Sequence, residues 1–165
     1  MVLLPEGWTD FAVAAAGATA ALAGLLIVAM SVNVTELLAS RAPIAGARST
    51  IASLVLAIAV SLLMLPPGQT MFVFGLIVLA LALVVTAIQV AAIVAQWRLE
   101  REGVTASVRA TIVVLAAAEL LPFLLGGILL VCDLSGGLWA VVVGIVMVII
   151  ATMINAWVLL IEVRR

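Results

Sequence analysis

Five apolar stretches separated by short polar breaks occupy almost the whole chain. A membrane-spanning helix needs about 20 apolar residues, with a range of roughly 17–25. Segments 9–38, 49–65, 70–97, 108–131 and 138–163 meet that requirement. The first exceeds the hydrocarbon thickness and is expected to tilt or protrude. The second is at the short limit and stops at Pro66-Pro67-Gly68, a turn signal. RLEREGVTAS (98–107) separates the third from the fourth, and CDLSGG (132–137) the fourth from the fifth. The pattern predicts an all-α, polytopic transmembrane helix bundle of five spans, forming one integral membrane domain over residues 1–165.

Orientation follows from the arginines. Arg41 and Arg48 lie between spans one and two, and Arg98, Arg101 and Arg109 around the connection between three and four. Arg164 and Arg165 follow span five. With five spans, all seven fall on one side, opposite Glu6, Asp10 and Asp133, so the N-terminus is expected outside and the C-terminus in the cytoplasm. Trp8 and Trp139 mark the outer interface and Trp97 the inner one. A four-span alternative with a re-entrant second segment would divide the arginines between both sides, and ranks below. The N-terminus lacks the basic region of a secretory leader, so the first span reads as retained.

Composition strengthens this reading. The chain is 68% hydrophobic and 9% charged, with mean hydropathy +1.50. Ordinary soluble domains carry about 25% charged residues, so lipid is the solvent for most of this surface. All basic residues are Arg; His, Tyr and Lys are absent. That excludes His-based catalysis, His ligation of metal or haem, and a Schiff base on Lys. The lone Cys132 makes neither an internal disulfide nor a metal site. No catalytic set, metal cluster or phosphate-binding loop appears, so neither enzymatic activity nor a cofactor is expected. The arginines form a membrane-side band and the net charge is −1, which argues against nucleic acid. The lack of Lys beside abundant Ala, Val, Leu and Gly suggests a GC-rich bacterial gene and a bacterial cytoplasmic membrane.

Counting inward from the arginines exposes the candidate chemistry. Asn33 lies eight residues before Arg41, Gln89 nine before Arg98, and Asn155 nine before Arg164. Glu119 lies ten after Arg109, on a helix running the other way. At 1.5 Å per residue each stands roughly 12–15 Å above its arginine, near the middle of a ~30 Å core. Only span two lacks such a residue, having Ala57 and Ile58 at that depth. Gln89 shares a helix side with Gly75, Ala82 and Thr86, and Asn155 with Gly144, Ala151 and Thr152. Small residues in these stripes allow close helix approach, so the polar groups are expected to face protein. Span one carries two such stripes, one through Gly17, Ala21, Gly24 and Ser31 and one through Ala29, Asn33 and Glu36, and is expected to contact neighbours on two sides. Pro122 removes the hydrogen bond donor that would serve the carbonyl of Ala118, beside the acid. Gly126-Gly127 reads as a hinge or a close crossing.

Amides at this depth are ordinary interhelical glue, contributing about 0.6 kcal/mol on average and up to roughly 2. An ionised acid at the bilayer centre costs at least ~2.5–3.5 kcal/mol, more than glue returns, so Glu119 marks a functional site by default. The expectation is a small homo-oligomeric channel or carrier for protons or small cations, built on Glu119, Asn33, Gln89 and Asn155. Glu36, Thr86, Thr152 and Pro122 are secondary. Because five short helices enclose little space, the path is expected at an axis between copies. The alternative is an accessory or scaffold subunit that docks on a membrane-protein partner, with the polar layer as glue.

Overall fold

In the computed structural model, backbone is described for residues 3–4, 6–32, 41–99, 106–134 and 136–161, and side chains for all of these except 6, 41–47, 96, 98–99, 106–109 and 158–161. The described residues are all-helical apart from one bridge. A short 3₁₀ turn, Glu6–Trp8, leads into α1 (Thr9–Val32), followed by α2 (Arg41–Leu63), α3 (Met71–Leu99), α4 (Ala106–Val131) and α5 (Gly137–Ile161). Four of them, α1, α3, α4 and α5, are long and apolar enough to cross a membrane. The apolar part of α2 is shorter, Arg48–Leu63. Large apolar side chains such as Val28, Val84, Val114, Leu121 and Met153 point outward, so the surface is as apolar as the core, as a lipid-facing helix requires.

The least apolar helix is at the centre. α2 packs chiefly against α1, α3 and α5, and the remaining close pairs are α3–α4, α4–α5 and α1–α5. Its Leu54, Leu56, Ala57 and Val60 are buried. A helix enclosed by protein gives up little by carrying hydroxyls, provided each finds a partner. That accounts for the modest hydropathy of the second span. The helix also begins at Arg41, about two turns before the apolar segment starts, with Pro43 in the first turn, where a missing N–H costs nothing.

Glycine sets the spacing of α3, α4 and α5. A Cβ on Gly127 would lie 2.9 Å from Leu79 Cβ and 3.0 Å from its backbone nitrogen, across the α3–α4 contact. One on Gly126 would lie 2.8 Å from Val141 and 3.0 Å from the carbonyl oxygen of Gly137, across α4–α5. Gly126-Gly127 is thus a close crossing on two sides at once, and α4 runs unbroken through it and through Pro122. α1 behaves differently. Its Ala12, Ala15, Leu26 and Ala29 face the bundle, whereas Gly17, Ala21, Gly24 and Ser31 face outward. Among the described residues, the chain itself supplies no neighbour for the stripe through Gly17: a Cβ at Gly17 or Gly24 would meet nothing within 4 Å.

The end opposite the arginines is closed by local ties. The chain before α1 pairs with the α2–α3 turn, Leu4 N–H donating to the Gln69 carbonyl at 3.1 Å. Gly68 takes a positive φ of 76° there, a turn geometry that a side chain would oppose. After α4, Leu134 N–H reaches the Leu129 carbonyl (2.8 Å) and Asp133 N–H that of Leu130 (3.1 Å), a Schellman cap with Asp133 at φ 59°. Trp8 and Trp139 meet edge to face with ring centroids 5.2 Å apart, joining the start of α1 to the start of α5. Trp8→Ala is expected to remove about 0.5–1.5 kcal/mol of ring-pair stabilisation beyond its buried area. A lower thermal midpoint for the purified protein measures it.

A buried carboxyl relay and its cleft

Glu119 points into the bundle. It is 7% exposed, and Gln89, on α3, is 1% exposed. The two meet through a residue that depth counting overlooked. Ser53, on α2 and 1% exposed, donates its hydroxyl proton to Glu119 Oε2 at 2.6 Å. Its oxygen accepts from Gln89 Nε2, also at 2.6 Å. Three helices therefore contribute to one hydrogen-bonded chain. One turn towards the arginine-bearing end, Asn155 Nδ2 on α5 donates to Thr50 Oγ1 on α2 at 3.0 Å. Span two brings no amide or acid to this depth, as expected, but the residues there are not Ala57 and Ile58: α2 supplies the hydroxyls of Ser53 and Thr50.

Ser53 departs from the local rule. Hydroxyls in helices usually return to the carbonyl one turn back. Thr19 does so to Ala15 (2.7 Å), Ser61 to Ala57 (2.8 Å) and Thr86 to Ala82 (2.7 Å). Ser53 spends its hydroxyl between helices instead. Ser53→Ala would leave a buried carboxyl and a buried amide without their shared partner, at an expected cost of about 1–3 kcal/mol. Ser61→Ala removes only a local bond whose carbonyl keeps its helical donor, so its loss should be smaller. Parallel denaturant titrations of the two variants test the difference.

The remaining candidates divide cleanly. Gln89, Glu119 and Asn155 line one cleft, with Gln89 and Glu119 linked and Asn155 on the lower tier. Thr86 is half-buried and bonded to its own helix, and Thr152 is buried on the side of α5 that carries Asn155. Pro122 is half-buried one turn beyond Glu119. Asn33 and Glu36 lie outside the described residues. The sequence signal for the missed hydroxyls was present as Thr50, Ser53, Ala57 and Ser61, spaced three, four and four apart on one helix side.

The cleft encloses about 140 Å³, and its wall includes Ser49 and Thr50 of α2, Ala92 of α3 and Ile112 of α4. Each of these lies between the Glu119–Gln89 pair and the arginine-bearing end, so the cleft runs from the carboxyl towards that end. From Glu119 to Ile112 it descends about 10 Å along α4. No protein-family model, curated protein or solved structure matches the chain. The site therefore has to be read from its own chemistry.

That chemistry is one of acceptors. Among the described residues, the carboxyl accepts from the Ser53 hydroxyl, which itself accepts from the Gln89 amide, and it meets no cation. The single hydroxyl proton of Ser53 goes to Glu119, so Gln89 turns its NH₂ to the serine. This leaves Gln89 Oε1 buried with no donor. A carboxyl and an unpartnered carbonyl beside one cleft suit a proton or another positively charged donor. Among the described residues, His, Cys, Asp and Glu form no cluster of three that would hold a metal ion.

Proposed function

We propose that the protein is a small membrane carrier for protons or small cations, with Glu119 as the group that takes up the charge. One observation carries the reading: a carboxyl buried near mid-helix, relayed through Ser53 to Gln89, at the closed end of a cleft leading to the arginine-bearing end. In the orientation proposed from the arginines, that end is cytoplasmic and the cleft opens inward. On the other side of the carboxyl the bundle interior is filled, with Phe74, Phe123, Val141 and Ile145 fully buried and the glycine crossings bringing helices into contact. The reading is therefore of a carrier closed to the outside, in preference to an open pore. Glu119, Ser53, Gln89 and Asn155 all come from one chain, so this reading does not call on an axis between copies, and assembly into a homo-oligomer is a separate proposal.

The relay suggests how charge moves. With Glu119 ionised, protons point from Gln89 to Ser53 to the carboxylate. With Glu119 protonated, the same three groups can run the other way: the acid donates to Ser53, which donates to a turned Gln89 carbonyl. Loading a proton then reorients an amide on a neighbouring helix, coupling the state of α4 to α3.

The scaffold alternative draws on the same bonds, because Ser53 and Thr50 tie four helices together. It gives no role to an orphan carbonyl or to a cleft reaching a buried acid. Purified protein reconstituted into liposomes decides between them. Under an imposed pH or monovalent-cation gradient, protein-bearing vesicles should dissipate the gradient faster than empty ones. Equal rates across pH would remove the carrier reading.

A further inference from the structure

A second cavity changes what the site could hold. Between α3 and α4 lies an apolar groove of about 220 Å³, lined mainly by aliphatic side chains such as Val90, Val113, Leu121 and Leu124. Val90, Val113 and Leu121 are exposed on the outer surface, so the groove faces the acyl chains of the bilayer. Gln89, Ile93 and Ala116 line both this groove and the cleft. Gln89, whose buried carbonyl has no donor, thus borders both the lipid-facing groove and the cleft of the buried acid. From Val113 to Leu124 the groove extends about 16 Å along α4, enough for an alkyl chain lying beside the helix.

We propose that the substrate of this site is an amphipathic organic cation with N–H donors on a compact head, such as a primary alkylammonium. It enters sideways from the lipid between α3 and α4. The proposal rests on the carrier reading and narrows its substrate class. The head has to donate, because Glu119 Oε2 already accepts from Ser53 and Gln89 Oε1 has no donor. It has to be small, because the polar cleft is only about 140 Å³. The tail is apolar because the groove offers no charged side chain, only Thr86 and Gln89 among polar ones, and the Thr86 hydroxyl is engaged with Ala82. A head bound at Glu119 displaces the proton, so such a cation and a proton would use the carboxyl by turns.

The test uses the full chain in lipid nanodiscs, with empty nanodiscs subtracted to remove partitioning into lipid. Three probes are compared by equilibrium dialysis: dodecylammonium, methylammonium and dodecyltrimethylammonium. Saturable, protein-dependent binding of dodecylammonium is expected, at least about tenfold tighter than methylammonium and than the trimethyl analogue, which has no N–H. Glu119→Gln should weaken it by about tenfold or more. Val113→Trp, at a lipid-exposed position where a larger side chain fills the groove without entering the core, should weaken dodecylammonium selectively. Equal binding by wild type and Glu119→Gln would overturn the proposal and mark the groove as an ordinary seat for an acyl chain. Equal affinity for methylammonium and dodecylammonium would remove the groove's role and with it the proposal. If proton flux through the wild type persists while dodecylammonium fails to bind, the carrier reading stands and the amphipathic substrate is discarded.

Discussion

Glu119→Gln is expected to reduce proton or cation flux in proteoliposomes to the rate of protein-free vesicles, while the protein still folds and elutes as the wild type does. The substitution keeps shape and much of the bonding. A glutamine carbonyl at this position still accepts from Ser53, and the bundle around it is unchanged in volume. What disappears is the ability to bind and release a proton or to neutralise a cation. Removing a buried acid with no cationic partner among the described residues should even be neutral or slightly favourable for stability. The two readings therefore separate on one variant. A carrier loses flux with stability intact; a scaffold held by glue has no flux to lose. Glu119→Asp sharpens the test. It keeps the acid but shortens the arm, so the 2.6 Å contact to Ser53 is lost and partial flux is expected. Flux in Glu119→Gln equal to wild type would show that the carboxyl is not on the path.

Helix positions were largely legible in the sequence, because apolar length is a strong signal in a membrane protein. The pairing of Glu119 with Gln89 was legible in part. Both have about the same number of residues between them and an arginine, and small residues share their helix sides. The link between them was not, for two physical reasons. Serine and threonine in a membrane helix normally satisfy themselves on their own backbone, as Thr19, Ser61 and Thr86 do here, so a serine such as Ser53 does not stand out. The depth count also took Arg48 as the inner end of the second span. The helix continues to Arg41, so Arg48 does not mark its end, and the hydrogen bond puts Ser53, instead of Ala57 and Ile58, at the level of the acid. The position of span two at the centre of the bundle was also hidden. Its weak hydropathy reads as a marginal membrane segment, although it follows from enclosure by other helices. Conversely, the stripe through Gly17 and Gly24 looked like a packing face and points away from the bundle.

Gly127→Leu is expected to abolish accumulation of the folded protein, whereas Gly17→Leu should be close to silent for the fold of a single chain. Both replace a glycine in a long apolar helix by a residue with a better helix propensity, so propensity favours both changes equally. The surroundings decide. At position 127 the added Cβ alone would approach Leu79 Cβ at 2.9 Å, its backbone nitrogen at 3.0 Å and its Cα at 3.1 Å. Two of those atoms are backbone, so no rotamer change relieves the contact and α3 and α4 have to move apart. Gly75 on the facing helix tightens the constraint, since a Cβ there would lie 2.5 Å from Leu130 Cβ and 3.1 Å from the Gly127 carbonyl oxygen. Even Gly127→Ala should cost about 1–3 kcal/mol, the usual range for overpacking. At position 17 the same atom meets nothing within 4 Å and extends into lipid. Expression followed by thermal melts in detergent compares the three variants directly. If Gly127→Leu survives as well as Gly17→Leu, the close α3–α4 crossing is wrong. The walls that the cleft and the groove share would then be wrong with it, since α3 and α4 supply all three shared residues.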